Sequence, residues 1–308
     1  MERVFCTVLS RYRLYQGIAL FCSLHEVMDN FRLYVLCMDD ETFHLLARMN
    51  WKNIHLISIH AIKNEKLAHL KEQRRFNEFC WTLKPFLIET VFVHNTDSDR
   101  VTYLDADLFF FSDPSIIFEN QPDCSVLLSR GEIRIPSLAA SNKNKLQKLL
   151  GNFNSGFISF LRDESGSDSI EWWKRRCLES CLSYPETGRF GDQKYLDELP
   201  HLFPNVCEIT TPCVNIGHWN SANYNFSVCK GEVFANMDKL ICYHFSGFRV
   251  LSGDKIVLIH ETNMIERPFF YAIYLNILRN VIRNINQIDP SFNGFSSSDD
   301  LPRKDKED

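Results

Sequence analysis

The chain has 308 residues, of which 45% are hydrophobic and 24% are charged, enough for one large buried core with or without a small appendage. Its formal net charge is −5 at pH 7, so it lacks the overall basic charge typical of nucleic-acid-binding proteins. The composition therefore indicates an ordinary globular protein, and we expect no nucleic-acid partner.

The 11 cysteines are odd in number, form no C-x-x-C pair, and lie in several cases inside apolar runs, as Cys6, Cys22, Cys37 and Cys124 do. This distribution favours buried free thiols in a reducing cytosol over a disulfide framework or a zinc site. The N-terminal segment is interrupted by arginines and does not resemble a signal peptide, and no apolar run approaches the roughly 20 residues that span a bilayer. We therefore predict a cytoplasmic protein.

Short apolar runs typical of β-strands alternate with helical patterns through the first half of the chain. Strands are predicted at residues 3–9, 32–39, 53–59, 101–107 and 124–130, and helices at 15–28, 40–49 and 79–93, the last with Pro85 near its start or at a kink. This alternation indicates an α/β protein with a mainly parallel sheet that is covered on both faces. Such sheets bind ligands at the carboxyl ends of their strands.

The second half of the chain is more mixed. A strand is predicted at 154–161, a helix at 167–182, a loop entering a short helix at 188–200, and a late strand at 239–248 that ends in a glycine-containing loop. Residues 267–288 predict a long helix with Pro268 at its start, and the tail from Asp289 onwards, rich in Ser, Asp and Lys, is expected to be disordered. The chain thus divides into a main domain at 1–265, a helix at 266–288 and a tail at 289–308.

Four polar clusters interrupt the apolar pattern, and each has an ordinary explanation when it is taken alone. Asp105 and Asp107 follow a strand, where aspartates commonly form turns, and Asn154 stands in an Asn-Ser-Gly sequence that is also typical of turns. Asp192 suits the N-cap of a short helix, and His244 suits a hydrogen-bonded histidine in the core. No single cluster predicts a function.

Taken together, the clusters predict a divalent-metal site that leaves positions open for phosphate oxygens. Mg²⁺ typically takes one or two carboxylates from a protein and the rest of its ligands from phosphates and water. An imidazole in the ligand set favours Mn²⁺. Because the sequence contains neither a P-loop nor a G-x-G-x-x-G motif, the metal and side chains have to hold the phosphates. The predicted ligands are Asp105, Asp107 and His244.

The order of the motifs resembles that of a known family over roughly residues 3–250. The motifs are "TVLSRYRLY", "EFCWTLKPFLIE", "VTYLDADLFFFSDP", "FNSGFISF", "GDQKYLDELP", "VNIGHWN" and "YHFSGF". The chain resembles GT-A-fold nucleotide-diphospho-sugar transferases related to glycosyltransferase family 8, the relatives of glycogenin and of bacterial lipopolysaccharide galactosyltransferases. The resemblance implies a Rossmann-like GT-A catalytic domain at 1–265, with a mixed, mainly parallel sheet flanked by helices, followed by a C-terminal helical appendage.

The resemblance also implies roles at the metal and the nucleotide. Asp107 is the main metal ligand, Asp105 is shared between metal and ribose, and His244 is the third ligand and touches the diphosphate. The residues expected to line the nucleotide are Thr7 and Tyr12 at the base and ribose, Asp39 at the base, Lys84 near the phosphates, and Gly247 in the loop after the histidine. Family members usually end in H-x-x-G-x-x-K-P-W, whereas this chain has "HFSGFRVLSG", so Arg249 replaces the lysine or the loop differs.

At the sugar, the resemblance implies that Asn154 hydrogen-bonds the donor sugar and that Asp192 and Gln193 match an Asp-Gln pair beside the transferred sugar. An inverting transferase needs a carboxylate base opposite the leaving group, and Gln193 cannot act as a base. An amide oxygen can instead stabilise positive charge at the anomeric carbon. We therefore predict transfer with retention of configuration.

The predicted function is metal-dependent glycosyl transfer, of the hexosyltransferase type, from a nucleotide-diphosphate donor to a saccharide or lipid-linked glycan acceptor, in bacterial surface-polysaccharide or related glycan synthesis. A nucleotide-sugar pyrophosphatase and a catalytically silent sugar-nucleotide-binding protein are the alternatives. The helix at 267–288 is predicted either to pack on the catalytic domain or to lie on the inner membrane surface beside the acceptor. Its apolar side is predicted to consist of Phe270, Ile273, Ile277, Leu278, Val281, Ile285 and Ile288.

Overall fold

The computed structural model describes residues 2–184, 188–253, 255–260 and 266–296. Its strands are β1 (Arg3–Leu9), β2 (Phe31–Cys37), β3 (Ile54–Ser58), β4 (Arg100–Leu104), β5 (Leu108–Phe110), β6 (Val126–Arg130), β7 (Phe153–Leu161), β8 (Val206–Glu208), β9 (Ile216–Gly217), β10 (Phe226–Cys229), β11 (Glu232–Ala235), β12 (Asp238–Lys239), β13 (Cys242–His244), β14 (Phe248–Val250) and β15 (Ile256–Leu258). Its α-helices are α1 (Leu14–Val27), α2 (Asp40–Met49), α3 (Glu65–Gln73), α4 (Phe76–His94), α5 (Ser115–Asn120), α6 (Ala140–Leu150), α7 (Glu164–Glu179), α8 (Leu199–Leu202) and α9 (Phe270–Ile288).

A seven-stranded sheet in the order β3-β2-β1-β4-β7-β6-β8 forms the centre of the fold. Strands β3, β2, β1 and β4 run parallel, whereas β7 runs antiparallel to its neighbours β4 and β6. The predicted mainly parallel sheet is therefore confirmed. Because β7 is reversed, its first residues lie at the edge of the sheet where β4 ends, and this brings Asn154 towards the two aspartates that follow β4.

Both faces of the sheet are covered, as the nearly continuous apolar sequence of β1 predicts. Phe5 and Leu9 belong to a core that also contains residues of α1 and α9. Val4, Cys6 and Val8 point to the opposite face and belong to a second core with residues of α4 and α7. The two cores fix the sheet between two helical layers, so the carboxyl ends of its strands form a rigid edge.

A smaller sheet in the order β5-β13-β9 lies beside that edge. β13 pairs antiparallel with β5 and parallel with β9, which places His244 opposite Leu108 and Gly217. The predicted late strand at 239–248 is therefore shorter than expected, covering Cys242–His244 before the chain turns into the hairpin of β14 and β15. This short strand carries the late histidine back to the residues after β4.

Several predicted boundaries differ from the structure. The strand expected at 101–107 ends at Leu104, so both aspartates lie in the connection to β5. Pro85 lies in the middle of α4, because this helix begins at Phe76. Helices α3 and α6 were not predicted, since α3 buries Leu67 alone and α6 has no buried residue, which leaves little apolar periodicity to detect.

The prediction of free thiols is wrong for one pair of cysteines. Cys124, just before β6, forms a disulfide with Cys207 in β8. The two residues are 83 positions apart in the chain and meet because β6 and β8 pair in parallel, a contact that cysteine spacing does not reveal. The nine other cysteines, all within the described ranges, are free thiols.

Helix α9 packs on the hydrophobic core through a broad aromatic and aliphatic face. The ring of Tyr274 stacks on Phe245 with a centroid separation of 3.8 Å. Ile273 and Ile288, predicted on the apolar side, are 47% and 39% exposed, so the buried face is rotated from the predicted one. The buried residues of the helix are Phe270, Tyr271, Tyr274, Leu278, Val281, Ile282 and Ile285.

The chain after α9 is placed as far as Ser296, so the disorder expected from Asp289 does not hold for this stretch. Phe292 and Phe295 pack against Tyr15, and the backbone N–H of Ser296 donates to the carbonyl of Val250. Residues 297–308 of the expected tail lie outside the described residues. Within the described chain, no helix combines the length and the apolar character needed to cross a bilayer.

Two isoleucines of α9 test this packing. Ile282 is 2% exposed and Ile273 is 47% exposed. We expect Ile282→Ala to lower the free energy of unfolding by about 2–5 kcal/mol, because it removes buried methyl groups and leaves a cavity, whereas Ile273→Ala changes it by less than about 0.5 kcal/mol. Urea denaturation of both variants measures the difference. Equal losses would mean that α9 is not packed in this orientation.

Candidate active site

The two aspartates after β4 lie in a tight connection that the fold pins at both ends. The N–H of Asp105 donates to the carbonyl of Gly156 at 2.8 Å, and the N–H of Phe245 donates to the carbonyl of Asp107 at 2.8 Å. The segment is thus a turn, as the sequence allowed, but it is fixed between β7 and β13 rather than exposed at the surface. Its two carboxylates consequently face the same histidine.

Asp105, Asp107 and His244 form a group that could hold a metal ion, with one ligand atom from each within 4.8 Å of the others. Nε2 of His244 lies 3.0 Å from Oδ1 of Asp107 and 3.8 Å from Oδ2 of Asp105. Burial alone raises the pKa of Asp107, but the imidazole outweighs it and holds the pKa well below its usual range. Two carboxylates and one imidazole match the preferences of Mg²⁺ and Mn²⁺, so the donor set fits the predicted cation.

Gly156 makes the close approach of the histidine possible. A Cβ atom at this position would lie 2.5 Å from Cε1 of His244 and 2.8 Å from Oδ1 of Asn154, distances that no real side chain adopts. The Asn-Ser-Gly sequence therefore does more than form a turn. It clears the space in which the late histidine reaches the strand-end aspartates.

Lys84, predicted near the phosphates, lies beneath the site as a buried cation. Its Nζ is 3.0 Å from Oδ1 of Asp105 and 3.1 Å from Oδ2 of Asp192, and it donates to Oγ of Ser155 at 3.0 Å. Burial disfavours the charged lysine, yet the two carboxylates raise its pKa above the ordinary value. Tyr103 donates its hydroxyl to the same Oδ1 of Asp105, which leaves Oδ2 facing the histidine. Lys84 therefore ties a predicted metal ligand to a predicted sugar-binding residue.

The predicted sugar-binding residues meet at the same edge. Asp192 is 3% exposed, and burial raises the pKa of its carboxyl group, partly offset by the ammonium of Lys84. Nδ2 of Asn154 donates to Oε1 of Gln193 at 3.0 Å, and Nε2 of Gln193 donates to the carbonyl of Leu150 at 3.0 Å. Both the oxygen and the nitrogen of the Gln193 amide are thus hydrogen-bonded, and one lone pair of the oxygen is left to accept a further contact.

Of three residues predicted to line the nucleotide, Tyr12 and Asp39 follow the ends of β1 and β2, whereas Thr7 lies inside β1. Asp39 caps α2, accepting from the N–H groups of Thr42 and Arg11 at 2.8 and 2.9 Å. The hydroxyl of Tyr12 accepts from the guanidinium of Arg11, and its ring meets Phe76 edge-on. Thr7 is fully buried within β1, and its Oγ1 finds no hydrogen-bond partner among the described residues. Asp39 and Tyr12 are therefore held by local contacts, and neither forms a hydrogen bond or ion pair with Asp105 or Asp107.

A Cβ atom at Gly247 would lie 2.8 Å from a methyl carbon of Leu258 in β15, so a larger residue here would push that side chain aside. Arg249, the suggested replacement for the family lysine, donates to the backbone carbonyls of Ser246 and Phe248. The rings of His218 and His260 stack at 4.0 Å in the same corner, and burial lowers the pKa of His218 to about 2. Sequence reasoning missed both histidines, because isolated histidines carry no spacing signal.

Asn215 is the other functional candidate that sequence reasoning missed. It is fully buried immediately before β9, and its Oδ1 lies 3.0 Å from Nδ1 of His244. Its Nδ2 donates to Oδ1 of Asn154 at 2.9 Å. The residue stood in a motif noted in the sequence, but its position between the histidine and Asn154 depends on the pairing of β9 with β13.

Comparisons with known proteins agree with this architecture. A model of the nucleotide-diphospho-sugar transferase family matches residues 30–202, more than half of the chain. The chain is 51% identical over 301 residues to the uncharacterized protein YfnF of Bacillus subtilis (strain 168), a match that covers 97% of this chain and 99% of YfnF. It is 31% identical over 296 residues to the uncharacterized protein YfnD of the same strain, covering 95% of this chain and 93% of YfnD.

Among solved structures, the fold is similar to that of the galactosyltransferase LgtC in complex with donor and acceptor sugar analogs. The TM-score is 0.56 at 14% identity, and the match covers 90% of this chain and 95% of LgtC. At that identity the similarity concerns the fold alone, and it confirms the GT-A fold that the sequence predicted. The chain therefore belongs to the nucleotide-diphospho-sugar transferases, as a glycosyltransferase with the GT-A fold.

Proposed function

We propose that the protein is a metal-dependent glycosyltransferase of the hexosyltransferase type that moves a sugar from a nucleotide-diphosphate donor to a saccharide or lipid-linked glycan acceptor. The observation that carries this proposal is one continuous network between the candidate metal ligands and the residues expected at the sugar. Lys84 joins Asp105 to Asp192, and Asn215 joins His244 to Asn154. A site built in this way can bind both the diphosphate and the sugar, the two groups joined by the bond that a sugar transfer breaks.

At the diphosphate, Asp107, Asp105 and His244 would hold a divalent ion, Mn²⁺ or Mg²⁺, and the imidazole in the ligand set favours Mn²⁺. When bound, the metal supplies Lewis-acid stabilisation of the negative charge that develops on the leaving group. Thr7 in β1, Tyr12 just after β1 and Asp39 just after β2 line the nucleotide in this proposal. These strand ends are where ligands bind in sheets of this kind.

At the sugar, Asp192 and Asn154 bind hydroxyl groups and Gln193 lies beside the anomeric carbon. Gln193 cannot take a proton from the acceptor, and its amide is fixed by Asn154 and by the carbonyl of Leu150. An oxygen held in place can stabilise developing positive charge without reorganising during the reaction. Transfer with retention follows, with the departing diphosphate oxygen accepting the proton of the acceptor.

The proposal extends to the setting of the reaction. Bacterial surface-polysaccharide or related glycan synthesis is the proposed context, with the enzyme in the cytoplasm, where contact with the inner face of the membrane would give access to a lipid-linked acceptor. The burial of most apolar residues of α9 supports packing on the core as the main role of this helix. Any membrane contact would fall to its exposed side, which carries Ile273, Arg279 and Arg283.

A screen of nucleotide sugars by thermal shift, with Mn²⁺ or with EDTA, tests the proposal. A ligand that binds only the folded protein stabilises it by about 2.7 kcal/mol at a hundred times its Kd. We expect one donor to raise the melting temperature with Mn²⁺ and not with EDTA. NMR of the product made from this donor should show the same anomeric configuration in the product as in the donor.

Three outcomes would contradict the proposal in different ways. Hydrolysis of the donor at the same rate with and without saccharide acceptors would indicate a pyrophosphatase. Donor binding without turnover against a broad set of acceptors would indicate a silent binding protein. A β-linked product from an α-linked donor would leave glycosyl transfer intact but would mean that a carboxylate acts as base.

A further inference from the structure

Asn215 occupies an unusual position for a residue to which the sequence assigned no role. Its side chain is fully buried, and its backbone φ is +56°, a left-handed conformation that asparagine tolerates better than most residues. A buried amide at such a position needs partners for both its oxygen and its nitrogen. Asn215 belongs to a chain of hydrogen-bonded side-chain amides. Backbone groups that contact the other amides of this chain fix the direction of its hydrogen bonds.

The first fixed group is the carbonyl of Leu150, which can only accept. Nε2 of Gln193 therefore faces it, at 3.0 Å, and Oε1 of Gln193 accepts from Nδ2 of Asn154. The second fixed group is the N–H of Gly156, which can only donate, and it lies 2.9 Å from Oδ1 of Asn154. Two backbone groups thus set the same orientation for both amides, and neither amide can flip without opposing like groups.

The same orientation passes on to Asn215. Its Nδ2 donates to Oδ1 of Asn154 at 2.9 Å and to Oγ of Ser129 at 2.8 Å. The hydroxyl of Ser129 is free to accept, because its own hydrogen is directed at the backbone carbonyls of Asn154 and Phe157. Both hydrogens of the Asn215 amide are then used, and Oδ1 remains as an acceptor for Nδ1 of His244 at 3.0 Å.

It follows that Nδ1 of His244 carries a hydrogen whatever the charge of the ring. Nε2 is then the nitrogen whose lone pair faces Asp107 at 3.0 Å and Asp105 at 3.8 Å. The lone pair of Nε2 and the two carboxylates point at one another and would repel. A cation between them, either a proton or a metal ion, removes this repulsion. The hydrogen bond made by one ring nitrogen decides which nitrogen is left to bind metal.

We propose that Asn215 is a positioning residue that fixes Nε2 of His244 towards Asp105 and Asp107, so that the orientation of the sugar-side amides is transmitted to the metal ligand. The inference rests on the proposed function only in naming a metal as the cation. Asn154 and Gln193 on one side, and His244 on the other, are then parts of one assembly whose hydrogen-bond direction is set by the backbone.

Two substitutions separate positioning from a merely structural role. Asn215→Gly keeps the positive φ without strain and removes the acceptor for His244. Asn215→Asp keeps an oxygen acceptor for the imidazole and tolerates the same φ. We expect Asn215→Gly to weaken binding of Mn²⁺ alone by about 10- to 100-fold, the usual effect of losing such a partner. Asn215→Asp keeps the acceptor for His244 but places an oxygen against Oδ1 of Asn154, so it should weaken Mn²⁺ binding less than Asn215→Gly does.

Mn²⁺ titration of the full chain measures this, with Asn220→Gly as the matched control. Asn220 lies in the same segment and accepts from Gly217 at 2.9 Å, with no hydrogen bond to the histidine, so its loss should leave Mn²⁺ affinity unchanged. The proposal is overturned if Asn215→Gly binds Mn²⁺ like the wild type, or if Asn215→Asp is as weak as Asn215→Gly.

A second measurement does not require metal. In ¹⁵N-histidine spectra, the hydrogen-bonded Nδ1–H of His244 should be visible in the wild type and in Asn215→Asp and absent in Asn215→Gly. A wild-type spectrum with the proton on Nε2 alone overturns the inference. If the wild type shows the expected Nδ1–H but binds no Mn²⁺, the role of Asn215 stands and the metal-dependent function falls.

Discussion

Replacing Asp107 with asparagine is expected to abolish Mn²⁺ binding and to lower kcat/KM for sugar transfer by about three orders of magnitude, with the protein still folded. Of the carboxylates of Asp105 and Asp107, that of Asp107 is the nearer to the imidazole of His244, at 3.0 Å, and it is almost completely buried. Charge stabilisation by a metal at the leaving group contributes several kcal/mol, and each 1.36 kcal/mol is a tenfold change in rate. The asparagine preserves shape and one acceptor oxygen, so packing should survive.

Asp113→Asn is the matched control for this variant. Asp113 is exposed in the loop between β5 and α5, and its Oδ1 accepts from the N–H of Ser115 at 2.8 Å, a role that an asparagine oxygen can also fill. Turnover with Mn²⁺ and with EDTA, together with the melting temperature, distinguishes the two variants. Full turnover of the wild type in EDTA, or of Asp107→Asn in Mn²⁺, would remove the metal from the mechanism.

The central sheet and the edge that carries the candidate site were predictable because their signals are local. The apolar run of β4 ends in two aspartates, and apolar runs followed by polar residues mark strand ends in parallel sheets. The reversal of β7 was not predictable, since an antiparallel strand in such a sheet has the same apolar sequence as a parallel one. That reversal is what brings Asn154 to the site.

The less regular parts of the site depend on contacts between distant segments. The family resemblance placed Lys84 near the donor phosphates, but it gave no sign that the side chain would be 2% exposed between two carboxylates from other segments. Asn215 gave no signal for the same reason, because its partners Asn154 and His244 are 61 and 29 residues away along the chain. Burial and hydrogen-bond direction in such networks are properties of the tertiary structure.

Removing the charge of Lys84 is expected to have the largest effect on stability. Lys84→Met keeps a long, unbranched side chain that can fill the same volume, but it leaves Asp105 and Asp192 facing each other without a cation. Breaking a buried ion pair by removing one partner costs about 3–5 kcal/mol, because the remaining charge stays buried and uncompensated. Urea denaturation should therefore show a loss of that size in the free energy of unfolding.

Lys174 offers the matched comparison, because it also bridges two acids, Glu89 and Glu171, each at 2.6 Å. Those two carboxylates are 47% and 50% exposed, so water replaces the lysine when it is lost, and Lys174→Met should cost no more than about 1 kcal/mol. Adding Asp192→Asn to Lys84→Met removes one of the two negative charges left uncompensated, those of Asp105 and Asp192. The double variant should therefore regain part of the lost stability. Equal losses for the two lysines, or no recovery in the double variant, would mean that Lys84 stabilises the protein by packing and not by neutralising the carboxylates that build the site.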